Sequence, residues 1–546
     1  MALSERKELE NDVVMVILPP LTENDPLYTM KKDVLFAKNI DLAFRLQFSD
    51  VSCPGKVVEV LEKIIQAARC LNLDETELYF MEDYDDGPFS FRNELESLNL
   101  VKSVINRSFL NASDDKMRLQ QLLEEATMDK FNLLESNCIE EKMIRLCDSG
   151  SDMQLLEWGR KHGVKSKLQI AEFNGAGRGA FAVEDIDVGE AALEIPQSIV
   201  ISEQHIYESN MFNIFKDMVG ISSETMLLLW SMTERCNPAS KFNTYFDTLP
   251  KDFNTGLSFG LDALAALEGT LLLEEILQAR EHLRKQYDDL CPPLCARFPD
   301  IFRPELYTWD QFLWACELWY SNGMKVVFTD GQLRTCLVPI AGFLNHSLWP
   351  HILHYGKVDA ETGVLKFCAS RPCRRGKQCY LSYGPFSGAH FVNFYGFLPK
   401  GDNPYDLIPL DVDSSSCVDW ATHMVRGTWF SKSHKLPNYG LPSNLLLHLQ
   451  KAMLQCEDNL SPTDILAEVQ KKSDIERAVL ETIMSIFSSM LESLGGTCDE
   501  FDRETISWDV KLALDFKDLQ KRIVSSVVES CSAALQELDD LRSKTD

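Results

Sequence analysis

The apolar pattern changes period twice between residues 168 and 383, and that change limits the folds open to this chain. From 168 to 201 the sequence has short apolar pieces broken by glycines. Phe181, Val183, Ile186 and Val188 are apolar there, and 191–196 reads as a further strand. From 205 to 316 the apolar residues recur at helical spacing, most clearly over 261–290, where Leu264, Leu267, Leu271 and Leu272 form one stripe. Short β segments then return at 324–328, 333–339, 363–370 and 378–383. Strand side chains alternate with period two and a helix stripe repeats every 3.6 residues, so no single type of element accommodates both stretches. The economical solution is an α+β domain, β-rich at its centre, with a helical insertion at about 204–312 entering through a loop.

The flanks are different in character. With 546 residues, two or three domains are expected. In the first 150 residues, 13–18 reads as a buried strand stopped by Pro19 and Pro20. Helical spacing covers 57–71, and 82–86 is an acidic turn closed by Gly87 and Pro88. Residues 117–146 read as one helix with Leu119, Leu122, Leu123 and Ala126 on a side. A Ser-Gly-Ser break at 149–151 precedes a short helix at 155–163 that carries Trp158. The polar stretch 411–417 marks another boundary, and from 444 onward the pattern is helical, strongest over 475–494 and 507–541. The expected division is a mostly helical unit over 1–150, the β-rich domain over 151–410 and a helical domain over 411–546.

Charge and cysteine usage narrow the functional classes. Acidic residues outnumber basic ones 83 to 54, a formal charge of -29 that repels a phosphate backbone and attracts basic protein segments. Nucleic acid is therefore not an expected partner. The 16 cysteines include no CxxC pair, and Cys373 and Cys379 sit in a strand-rich stretch, as reduced core thiols do. His351 and His354 lack ligand spacing, so no metal is expected. The reading is a reducing compartment, cytosol or nucleus. The start MALSERKELEND resembles neither a secretory signal nor a transit peptide. The apolar run 261–277 is interrupted by Asp262, Glu268, Glu274 and Glu275, so no membrane span is expected, and the chain reads as a soluble monomer.

Three local patterns carry chemistry. Gly175-Ala176-Gly177-Arg178-Gly179-Ala180-Phe181 precedes Glu184-Asp185-Ile186 and Gly189-Glu190. Glycines there let backbone groups approach a ligand, and no helix follows to make a dinucleotide fingerprint. Phe343-Leu344-Asn345-His346-Ser347 places paired donors and acceptors after an apolar approach. Gln378-Cys379-Tyr380-Leu381-Ser382-Tyr383-Gly384 followed by Phe391-Val392-Asn393-Phe394-Tyr395-Gly396-Phe397 supplies a phenol and an aromatic slot. Taken singly these patterns also describe a glycine turn, a buried histidine and aromatic core packing.

Together, in this order, the three patterns resemble the SET domain, in particular the branch typified by plant rubisco large-subunit methyltransferases. The likeness covers roughly residues 153–530 and includes the lead-in helix with Trp158, the insertion and the last helices around 508–527. It implies a pseudoknotted β-rich fold, an uncommon threading, with S-adenosylmethionine as cofactor. Ala176, Gly177 and Arg178 would hold the amino-acid end of the cofactor. Asn345 and His346 would bind it, and Tyr395, Gly396 and Phe397 would line the adenine slot. Tyr383 matches the catalytic tyrosine, which also contacts the cofactor, and Met324 and Phe394 fall at the substrate pocket. The branch has a Ser-Arg pair where this chain reads Ser321-Asn322. An amide lacks the bidentate grip of a guanidinium on a carboxylate, so Asn322 is assigned a single hydrogen bond to the cofactor.

The implied activity is methyl transfer to a lysine of a non-histone protein, because the cysteine-rich segment that follows histone-type SET domains is missing and Met324 suits an aliphatic tail. Two alternatives stay open: histidine methylation, and a catalytically weak SET fold that serves as a protein-interaction scaffold.

Overall fold

The computed structural model describes residues 13–47, 53–81, 88–109, 114–135, 141–147, 150–411, 422–427, 441–455, 465–495 and 505–545. The opening MALSERKELEND, the acidic turn at 82–86 and residues 412–417 of the polar stretch lie outside the described residues. Two compact units result. One combines Met1–Ile139, Leu407–Ser488 and Ile523–Asp546, and the other combines Glu140–Asp406 with Ser489–Arg522.

In the first unit the strands Val13–Ile17 and Ala43–Gln47 pair antiparallel, with Val16 opposite Phe44 and Val14 opposite Leu46. The helix Pro54–Leu71 begins with proline, whose missing N–H would be unpaired there anyway. Its Val57, Leu61, Ile64, Ile65 and Ala68 recur every three or four residues and are buried. Ser90 caps the helix Phe91–Ser108 by accepting the Asn93 N–H at 3.0 Å. Between these helices Arg69 grips Glu94 with two bonds, Nε to Oε2 at 2.6 Å and Nη2 to Oε1 at 2.8 Å. The same unit holds the hairpin of Leu407–Asp411 with Thr422–Arg426, where Tyr79 Oη meets His423 Nδ1 at 3.1 Å.

The helix expected over 117–146 ends at Glu135. Residues Met143–Leu146 are instead a strand of the second unit, paired with Leu168–Phe173. Four residues are too few to separate the two periods, and the exposed edge of Leu168–Phe173 supplies the hydrogen bonds that decide for β.

In the second unit Leu168–Phe173 also pairs with Gly177–Ala182. A further sheet has Ala191–Pro196 between Val364–Cys368 and Lys165–Ser166, and Met324–Val327 pairs with Leu333–Cys336. Residues 378–383, expected as a strand, contribute only isolated bridges, Gln378 to Phe181 and Leu381 to His346 and Ile352. The insertion is helical, with Ser223–Glu234, Leu261–Ala266, Leu271–Arg297 and Trp309–Asn322 as its main helices. The stripe over 261–290 is thus divided between two helices. One apolar cluster joins insertion and strands, including Trp230, Phe312 and Trp314 from helices and Leu193, Ile195, Leu337, Phe367 and Leu381 from β segments. The insertion is therefore part of the core that fixes the site. Among the described residues, no helix is long and apolar enough to cross a membrane.

Candidate active site

The first pattern forms the turn and second strand of the hairpin Leu168–Phe173/Gly177–Ala182. Ala176 N–H donates to the Phe173 carbonyl at 3.3 Å, closing the turn. The Arg178 guanidinium is committed to scaffold: it donates to Asp152 Oδ1 and to the Thr248 carbonyl, both at 2.7 Å, and lies 5.2 Å from the centre of the Phe343 ring. Its backbone carbonyl accepts the Asn345 Nδ2–H at 3.1 Å, which joins the first pattern to the second. Gly179 sits at this junction. A Cβ there would collide with Gln378 Nε2 and stand 2.8 Å from Asn345 Nδ2. Gln378 is buried, and neither of its side-chain polar atoms has a hydrogen-bond partner. Buried amides left unpaired are costly, so this one is poised for a ligand or water.

The second pattern follows Ile340, whose φ of 73° is a strained conformation for a β-branched residue. Downstream of it, Asn345 O accepts the Leu381 N–H at 2.8 Å, and parallel bridges from His346 and Ile352 to Leu381 lay the second and third patterns side by side. Tyr383 is anchored twice in this crossing. Its N–H donates to His346 Nδ1 at 3.1 Å, and its hydroxyl donates to the Leu344 carbonyl at 3.0 Å. Burial pushes the His346 imidazole down to about 3, so the ring is neutral. Because Nδ1 accepts, the proton resides on Nε2, which is buried without a partner.

Aromatic rings close the site. Residues Phe391–Tyr395 form a π-helical turn, a geometry frequent at functional sites, capped by left-handed Gly396. A side chain at Gly396 would collide with the Asn254 carbonyl oxygen. Tyr395 stacks on Tyr383 at 5.0 Å, and Phe397 meets Tyr383 edge-on at 6.4 Å. His346 stands 5.3 Å from Tyr383 and 4.6 Å from Phe391. Burial, then the neighbouring Tyr395 and Tyr355, raise the Tyr383 hydroxyl well above the usual phenol range. Burial and Tyr355 push Tyr395 up to about 12. These phenols are neutral hydrogen-bonding groups at physiological pH.

The structure thus brings Arg178, Asn345, His346, Tyr383, Tyr395 and Phe397 together. Asn322 ends the helix Trp309–Asn322 and donates to Ser321 Oγ at 2.8 Å, with its Oδ1 3.3 Å from where a Cβ on Gly342 would stand. Met324 is buried, opposite Cys336 in its strand pair. Phe394 turns to Tyr320 and His390, and with them lines a cavity of about 300 Å³. Gln378 and Phe391 lie inside the third sequence pattern but carry no assigned role there, and Tyr355 lies outside all three patterns. Gln378 had a signal, since a polar side chain at the head of the otherwise apolar run that leads to Tyr383 needs a reason. Tyr355 had none.

Residues 177–384 match the family model described as the SET domain. The central fold is a SET fold. The SET domain of LSMT bound to lysine and AdoHcy superposes with a TM-score of 0.54 at 19% identity, covering 71% of this chain and 92% of that one. Rubisco LSMT bound to AdoMet gives 0.53 at 19% identity, covering 72% and 94%. Among curated relatives, an uncharacterized protein of Schizosaccharomyces pombe is 28% identical over 264 residues, 45% of this chain and 54% of the relative. The actin-histidine N-methyltransferase of Gallus gallus is 23% identical over 271 residues, 48% of this chain and 44% of the relative. The chain therefore spans about half the length of the curated relatives it matches.

Proposed function

We propose that this SET-fold chain transfers a methyl group from S-adenosylmethionine to a lysine side chain of a non-histone protein. The observation that carries the reading is the neutral, doubly anchored Tyr383, held against His346 and ringed by Tyr395 and Phe397.

The residues present fit the cofactor. The unpaired Gln378 amide and His346 Nε2 offer buried polar contacts, and Gly179 leaves room beside Asn345. In this reading the backbone of Ala176, Gly177 and Arg178, with one hydrogen bond from Asn322, holds the amino-acid end. Asn345 and His346 bind the middle, and Tyr395, Gly396 and Phe397 flank the adenine. When bound, S-adenosylmethionine supplies an electrophilic methyl on a sulfonium.

A lysine has an ordinary pKa of about 10.4 and must lose its proton to act as nucleophile. The aromatic surroundings of Tyr383 disfavour the ammonium form. Tyr383 keeps its own proton, so its role is to align the amine and the methyl rather than to act as base. Met324, apolar and buried, together with Phe394 suits an aliphatic chain. The acidic surface favours a basic protein segment over nucleic acid, and the scattered thiols fit the cytosol or nucleus. We read the chain as a monomer.

A histidine acceptor is the second reading, favoured by relatives named actin-histidine N-methyltransferases. Calorimetry with S-adenosylmethionine, followed by peptide-mapping mass spectrometry of methylated protein fractions, tests both. Micromolar binding and methyl groups on lysine are expected. Methylated histidine peptides transfer the assignment to the second reading. A folded chain that binds no cofactor is a scaffold.

A further inference from the structure

Among the described residues, one cluster outside the aromatic site has metal-ligand chemistry. His351, Cys373 and Cys379 present donor atoms that all lie within 4.8 Å of one another, and all three residues are buried. They come from separate stretches that meet in the second unit. His351 N–H donates to the Tyr380 carbonyl at 2.9 Å, Cys373 exchanges backbone bonds with Ile186, and Cys379 N–H donates to the Ala180 carbonyl at 2.8 Å.

We propose that His351, Cys373 and Cys379 form a structural site for one soft d10 cation, Zn²⁺, that staples the segments crossing behind Asn345 and Tyr383.

The chemistry of the donor set supports this. Thiolate and imidazole are the ligands zinc takes in structural sites, at about 2.3 Å for sulfur and 2.0–2.1 Å for nitrogen. Two thiolates balance Zn²⁺ exactly in charge, and a neutral assembly is what a buried, low-dielectric position tolerates. On binding, two S–H bonds break and two protons leave to solvent. Two Zn–S bonds and one Zn–N bond form. A neutral imidazole has one lone pair, which in the metal-free chain accepts the Tyr380 N–H at 3.1 Å. The metal takes that lone pair over, displacing a single backbone hydrogen bond. Among the described residues the cluster supplies three of the four tetrahedral positions, and the fourth would be taken by an exogenous ligand such as water. Arg371, a cation near His351, is already engaged by the Trp349 carbonyl at 2.9 Å and the Pro350 carbonyl at 3.2 Å. The proposal is independent of the methyl-transfer reading, because it concerns how the crossing is held.

The test uses the full-length chain, stripped with a chelator and reloaded with Co²⁺ as spectroscopic probe. One equivalent of Co²⁺ is expected, with a thiolate-to-metal absorption band in the near ultraviolet and tetrahedral d–d bands in the visible. Elemental analysis of the untreated protein should give one zinc per chain. Cys373→Ser and Cys379→Ser should each lower the thiolate band intensity, and the double variant should abolish it, with far-ultraviolet circular dichroism retained. If a variant fails to fold, the stripped parent still decides. A parent that takes up neither Co²⁺ nor Zn²⁺ at micromolar metal overturns the proposal. So does full metal uptake with an unchanged spectrum in either serine variant, or a Cys373–Cys379 disulfide in the purified chain.

Discussion

The Tyr383 N–H donates to His346 Nδ1 at 3.1 Å, and this one bond ties the tautomer of the imidazole to the position of the phenol. The hydroxyl of the same tyrosine is held by the Leu344 carbonyl, two residues before His346. Tyr383→Phe removes the second bond and leaves the first, because the first uses the backbone. A neutral hydrogen bond is worth about 1 kcal/mol, so the variant should unfold at nearly the parent temperature. Cofactor affinity by calorimetry should be unchanged, while methyl transfer should fall by roughly 10²–10³-fold, as loss of an oriented polar group does. Turnover at the parent rate would remove Tyr383 from the mechanism.

His346 is held neutral down to about pH 3. Between that value and the ordinary histidine pKa of about 6.5, the unfolded chain takes up a proton that the folded site refuses. The imidazole's contribution to stability is therefore complete above about pH 6.5 and declines on acidification, by up to about 1.4 kcal/mol per pH unit. Urea unfolding of the parent and of His346→Gln at pH 7.5 and pH 5 isolates this effect. The difference between the two proteins should shrink at the lower pH. An NMR titration in which the His346 imidazole shifts between pH 8 and 5 would contradict the neutral ring.

Asn322 already donates to Ser321 and stands beside Gly342 at the entry to the Asn345 segment. Asn322→Arg would replace a neutral donor with a charge-assisted one facing the cofactor's carboxylate. A gain of about 1.4 kcal/mol, tenfold in affinity, is expected from calorimetry. Unchanged or weaker binding would mean that Asn322 does not face the cofactor.

Two glycines separate packing from binding. At Gly396, with φ 76°, a methyl group would strike the Asn254 carbonyl. The loop carrying that carbonyl is held by Glu317, which accepts from Thr255 Oγ1 at 2.6 Å and Ser258 Oγ at 2.5 Å. The loop is thus poorly placed to yield, and Gly396→Ala should cost more than about 1 kcal/mol of stability, measured by urea unfolding. Gly179→Ala instead pushes on the Gln378 and Asn345 side chains. Its main effect should be on cofactor affinity, a loss of at least tenfold by calorimetry, with a smaller change in stability. The reverse ranking would show that the cradle at Gly179 is only packing.

Much of the architecture was legible because it depends on local periodicity. The strands at 13–17, 168–173, 177–182 and 191–196 and the helix at 54–71 follow from short-range apolar spacing. Reading failed where spacing was too short or too uniform. Residues 143–146 continue a helical spacing yet form a strand, and the single stripe over 261–290 is broken in the chain between Ala266 and Leu271.

The sequence by itself determined the order of elements, the α+β character with its helical insertion, and the three patterns from which the SET likeness was read. Those properties reside in neighbouring residues and survive as spacing. Only the tertiary structure decided which distant residues share a site. It spent Arg178 on Asp152, set Gln378 against Gly179, placed Tyr355 beside the other phenols and gathered His351 with Cys373 and Cys379. Such pairings arise from burial and from the hydrogen bonds of crossing segments, and these leave no fixed interval in the chain for a pattern to register.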